Sequence, residues 1–160
     1  MRTIWFGIIT IVALSGCSGW GDYQHKSDRF KFRASFPSGW EVWDRSDDRR
    51  DFLVAINPKI EHAEIQLIAE PVAPDLSPRE IYLKLTSTDL EIIDKGMISC
   101  KDAEGRYIII TDKVDEVTMK GMRTLFLGNR FTLEVGVMMR AEDFDEFEPV
   151  FRRMIREIEL

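Results

Sequence analysis

The sequence predicts an α+β domain, an antiparallel sheet of about six to eight strands packed with two or more helices. Three observations lead there. Several short segments between residues 29 and 139 alternate apolar and polar side chains with a period of two. Only two stretches carry helical spacing, one after Ser77-Pro78 and one at the C-terminal end. The strands fall in two runs of four, each followed by a helix, and runs of that kind favour antiparallel pairing with helices laid on the sheet.

From Arg29 to Phe36 the alternation is strict, with Phe30, Phe32, Ala34 and Phe36 on one side, which predicts a half-buried strand. Pro37-Ser38-Gly39 turns the chain into a first hairpin, and Trp40-Glu41-Val42-Trp43 opens the second strand. Trp40 and Trp43 are three apart, so they point to opposite faces. Trp40 is expected inside and Trp43 is the candidate contact for a partner, with packing at the core rim as the alternative. Asp44 to Asp51 is almost wholly charged and predicts a solvated loop. Phe52–Ile56 and Ala63–Glu70 are the third and fourth strands.

Ser77 as N-cap, Pro78 in the first helical position and Glu80 three residues after the cap form a capping box. Ile81, Tyr82 and Leu85 make the apolar stripe of that helix, which should fade near Asp89 or Leu90. Strands follow at Ile92–Cys100 and Gly105–Thr111, the second buried on both faces around Tyr107-Ile108-Ile109-Ile110. Met119–Leu127 and Arg130–Met139 flank a Gly128-Asn129 hairpin link, with Phe131, Leu133, Val135, Val137 and Met139 facing the core. Phe144, Phe147, Phe151, Ile155 and Ile158 recur at helical spacing, and Pro149 predicts a break or a helix start just before it.

The N-terminal stretch reads differently. Arg2, the apolar run Ile4–Leu14 and then Leu14-Ser15-Gly16-Cys17 have the order of an export signal. The run is about half the ~20 apolar residues that a membrane span requires. Its ending resembles a lipobox, the motif after which bacterial lipoprotein signals are cut. The resemblance implies cleavage between Gly16 and Cys17, acylation of Cys17, and a membrane anchor facing the periplasm. Two or three acyl chains hold durably where one does not. Ser18 after the cysteine, in place of Asp, favours the outer membrane over the inner. The expected division is a signal peptide at 1–16, a lipidated cysteine with tether at 17–28, and one globular domain at 29–160. Trp20 and Tyr23 in the tether could rest at headgroup level, with plain disorder as the alternative.

Loss of residues 1–16 leaves 144 of 160 residues, enough for one hydrophobic core. It removes one of 22 basic side chains and none of 28 acidic ones, for a net charge near −7. So acidic a chain suits neither nucleic acid nor unaided attachment to anionic lipid. With Cys17 acylated, Cys100 has no partner in the chain and is expected buried, the alternative being a free reactive thiol.

No motif for a cofactor is present, and none is expected. His25 and His62 are the only histidines, too few and too scattered for a zinc site. Two acidic runs, Asp44/Asp47/Asp48/Asp51 and Glu142/Asp143/Asp145/Glu146/Glu148, lack the pattern of an EF-hand. Arginines within the first and beyond the second explain them as stabilising charge. A serine nucleophile has no Gly-x-Ser-x-Gly turn, whereas a carboxylate pair remains open.

Phe32-x₃-Phe36-Pro37-x-Gly39-Trp40 resembles the opening of the PsbP-like and DcrB-like group of α/β/α sandwiches, and the likeness extends over residues 29–160. The chain departs from the group at Ile158-Glu159-Leu160, where Ser-Phe is common, and lacks the metal-related positions of the photosynthetic member. The resemblance implies that fold and a non-enzymatic accessory habit, with no ligand attached. The expectation is therefore an envelope lipoprotein that binds another envelope protein. A small-ligand binder and a carboxylate-based hydrolase are the alternatives.

Overall fold

The computed structural model describes residues 23–73 and 75–160. The expected signal segment, the Gly16–Cys17 cleavage and lipidation site and Trp20 lie outside the described residues. The strands are β1 (Tyr23–Lys26), β2 (Arg33–Phe36), β3 (Glu41–Asp44), β4 (Asp51–Ile56), β5 (Glu64–Pro71), β6 (Glu91–Ser99), β7 (Glu104–Val114), β8 (Val117–Leu127) and β9 (Phe131–Arg140). The helices are α1 (Pro78–Thr86), between β5 and β6, and α2 (Ala141–Arg156), after β9.

Seven strands form one antiparallel sheet in the order β3-β4-β5-β9-β8-β7-β6, and β1 and β2 pair separately as a hairpin. A single row of register partners crosses the whole sheet: Trp43, Val54, Gln66, Gly136, Arg123, Ile108, Lys95. Because side chains alternate along each strand, the row and its neighbours two residues away share one face. The other face carries Leu53, Leu67, Val135 and their like, fully buried under α2 and the β1–β2 hairpin.

That main core explains most of the sequence periodicity. Phe131, Leu133, Val135, Val137 and Met139 are all buried in it, as are Phe144, Phe147 and Phe151 of α2. Trp40 lies inside, its ring 5.1 Å from that of Phe147. On the opposite face α1 buries Ile81 and Leu85 against Ile108, Ile110 and Leu125, which makes a second and smaller core. The isoleucines of β7 therefore do meet protein on both sides.

Several expectations are corrected. The tether does not run to Asp28, because Tyr23–Lys26 is a strand whose partner is β2. Tyr23 packs edge-on against Phe36 at 5.9 Å, and so is committed to the domain. The strand expected from Arg29 is confined to Arg33–Phe36. Before it, Ser27 to Lys31 form a tight turn, with Lys31 N–H donating to the Ser27 carbonyl at 3.0 Å and Lys31 at φ 60. Phe30 keeps its inward direction from that turn, its ring 5.3 Å from Phe131. Pro37–Gly39 makes no hairpin; it passes the chain from the β1–β2 layer into the main sheet, with Gly39 at φ 80.

β7 and β8 run on beyond the expected ends to an Asp115–Glu116 turn, both residues left-handed at φ 49 and 69. The β8–β9 turn falls at Asn129–Arg130, with Gly128 N–H donating to the Phe131 carbonyl at 2.9 Å. α1 stops at Thr86, before the expected fade. α2 runs unbroken through Pro149. Pro149 and Asp145, whose carbonyl loses its partner four residues on, are both exposed, so water can take that carbonyl. After α2, Ile158 is fully buried, and Glu159 exchanges backbone hydrogen bonds with Arg33 at 2.8 and 3.0 Å. The C-terminal residues thus pin the hairpin to the main core.

Candidate binding surfaces

α1 covers one end of its sheet face and leaves the rest bare. On the half without a helix, Trp43 stands beside Val54, which its neighbours bury to 9% exposure, with Phe52, Ile56 and Ile68 on the same face. Trp43 is half-buried and Ile56 is 37% exposed. At the centre of this face Arg123 donates from Nε to Glu134 Oε1 at 2.7 Å, a partly buried pair. A shallow hollow of about 170 Å³ lies beside that pair, floored by Gln66, Gly136 and Met138. Trp43 points the opposite way from the buried Trp40, onto a face that neither α1 nor α2 covers at this end.

A larger groove of about 550 Å³ lies between α1 and the β6–β7 edge of the sheet. Tyr82 and Leu83 form its helix wall, Met97 and Ile108 its floor, and Arg79, Lys95 and Arg106 supply charge. The Arg106 guanidinium sits 4.8 Å from the centre of the Tyr82 ring, a cation–π contact. Burial raises the Tyr82 phenol above its ordinary pKa, while Arg106 opposes that rise. The capping box positions this wall: Ser77 Oγ accepts from Glu80 N–H at 3.3 Å, and Ser77 N–H donates to Glu80 at 2.8 Å.

Elsewhere several charged residues are engaged structurally. Asp47 Oδ1 accepts from the backbone N–H groups of Arg49 and Arg50, which hold its carboxyl below the usual range. Asp51 is buried and faces His25 Nε2 at 3.4 Å, so this histidine belongs to the folded domain and not to a tether. His62 lies 3.4 Å from Glu61 on an exposed loop. In α2, Glu148 pairs with Arg152 at 2.7 Å, and Asp145 pairs with Lys120 at 2.6 Å. The carboxylates with displaced pKa, Asp47, Glu80 and Glu159, all move down. Cys100 is buried, as expected, its N–H donating to the Ala103 carbonyl at 2.9 Å.

The sequence stripe of α1 ended at Ile81, Tyr82 and Leu85, and so missed the groove. Its signals were Leu83, a large apolar residue off that stripe, and Lys95 and Met97, two apart on one strand face. Lys95 and Arg106 come to one face of neighbouring strands only through the register that pairs Lys95 with Ile108 and Met97 with Arg106.

A seven-stranded antiparallel sheet with α2 and a hairpin on one face and α1 on the other defines a PsbP-like α+β domain. Among solved structures that share it is the cyanobacterial PsbP, CyanoP, of Synechocystis sp. PCC 6803. It superposes with a TM-score of 0.67 at 11% identity, covering 92% of this chain and 98% of CyanoP. LpqN of Mycobacterium tuberculosis, a protein involved in cell envelope biogenesis, gives 0.64 at 9% identity, covering 85% of this chain and 89% of LpqN. PA94 of Pseudomonas aeruginosa, a protein of unknown function, gives 0.51 at 9%, covering 86% and 95%. No protein-family model matches the sequence, and no curated protein matches it. No helix among the described residues is long and apolar enough to cross a membrane.

Proposed function

We propose that this chain is a non-enzymatic accessory protein of a bacterial cell envelope, anchored through lipid on Cys17 and facing the periplasm. It acts by binding another envelope protein through the bare half of its sheet. The observation that carries this reading is Trp43, a large aromatic side chain that stays half-exposed on a short edge strand, on a face where no helix lies over it. Half-buried aromatics flanked by polar groups are the usual anchors of protein interfaces. The envelope placement is supported by the signal-like first sixteen residues, by the lipobox-like Leu14–Cys17, and by the shared fold of LpqN. Ser18 favours the outer membrane.

Replacing Trp43, and separately Lys113, with a photo-crosslinking amino acid in the native host tests the interface. Lys113 is exposed at the far tip of β7. A discrete adduct from position 43 that is absent at position 113 is the expected result, and equal labelling at both would defeat the reading. Intact-mass measurement of the protein from membranes tests the anchor separately: a chain that begins at an acylated Cys17 is expected, and an unmodified thiol there removes it.

A further inference from the structure

The groove beside α1 lies at the opposite end of the face from Trp43, and its chemistry differs from that of the rest of the molecule. The protein carries 28 acidic and 22 basic side chains, yet no acidic side chain lines the groove and three basic ones do. Among the described residues, Arg79, Lys95 and Arg106 take part in none of the ion pairs. Between these cations lie two of the most exposed large apolar side chains of the domain, Met97 at 59% and Leu83 at 56%. Unpaired positive charge beside an apolar trough is complementary to one molecule that has both an anionic end and a greasy one. The volume, about 550 Å³, falls in the range of sites for small ligands, roughly 300–1,000 Å³. The free N–H groups at the start of α1 are partly taken by its own capping box, so recognition of the anion falls to the side chains.

We infer that this groove binds a single-chain amphiphile with an anionic head. The chain lies along Tyr82, Leu83 and Met97, and the head is met by Arg79, Lys95 and Arg106. This goes beyond the protein interface proposed above and does not depend on it, since the two surfaces share no residue.

The test is photoaffinity labelling of the full chain in nanodiscs with a diazirine derivative of dodecanoate, mapped by peptide mass spectrometry. Labelled peptides from residues 79–86 and 95–97 are expected. Dodecanoate and dodecyl phosphate should both compete, and dodecyltrimethylammonium, with the same chain and opposite charge, should need at least tenfold more. The combined variant Arg79→Gln, Lys95→Gln, Arg106→Gln changes only exposed side chains, and it should lower labelling at least tenfold with an unaltered circular dichroism spectrum. Leu83→Asp should do the same through the apolar wall. Label spread over the surface, equal competition by the cationic amphiphile, or undiminished labelling of both variants would overturn the proposal. So would an acidic peptide that displaces the label better than dodecanoate does, because the occupant would then be a protein.

Discussion

Asp115 and Glu116 form the whole β7–β8 turn, and both have positive φ. A two-residue turn of this hand matches the twist of the strands it joins and favours Asn or Asp followed by Gly. Asp115 suits the first place, whereas Glu116 carries a Cβ in a region that costs a non-glycine residue on the order of 1 kcal/mol. Glu116→Gly is therefore expected to stabilise the fold by no more than about 0.5 kcal/mol, after the greater freedom of unfolded glycine is subtracted. A rise in the urea midpoint at constant slope would show it. The turn was not visible in the sequence, since Lys113 to Glu116 is charged or apolar without glycine, asparagine or proline. His25 escaped for a related reason. Four residues alternating Tyr, Gln, His, Lys are too few and too polar to mark a strand, and only pairing with β2 and the facing Asp51 make them one.

Among the elements, α1 was the most legible, because its start is written in local chemistry that needs no tertiary partner. Ser77, Pro78 and Glu80 occupy the cap positions that the sequence assigns them. Loss of the side-chain cap in Ser77→Ala should cost about 1 kcal/mol. The Ser77 hydroxyl, and after it the Ser77 N–H, lower the pKa of Glu80 in the folded state. The stabilisation is thus complete above the unfolded carboxyl's value near 4.5, and it is lost as pH falls through the lower folded value. Asp47 and Glu159 act in the same direction, so the test is comparative. Between pH 7 and pH 3 the melting temperature of Glu80→Gln should fall less than that of the unaltered protein. α2 was legible on its buried side and misread at Pro149. A proline is a helix breaker by its own chemistry, but five buried side chains of one face hold this helix across the missing bond. Strand ends were predicted less well than strand cores, because register with a neighbour decides where a strand stops.

The whole molecule has two cores of unequal size. The larger joins the sheet, α2, the β1–β2 hairpin and Ile158, while the smaller holds α1 by five buried side chains. Local opening follows buried contact, so the α1 amides should exchange with deuterium well before those of α2, β8 and β9. Hydrogen-exchange mass spectrometry would show this, and equal protection of the two helices would contradict it. Fold class was readable from periodicity alone, since alternation and helical spacing record which side of each element is covered. The grouping of β1 with β2, and the groove beside α1, depend on contacts between residues far apart in the chain, which no local pattern encodes.

The first strand begins at Tyr23, against the hairpin partner that the C-terminal residues clamp in place. Five residues separate Cys17 from that strand, so an acyl group on Cys17 could lie no more than about 20 Å of chain from it. If the proposed anchor holds, a docking partner would have to reach down to the lipid surface, and the search for it would take place in two dimensions.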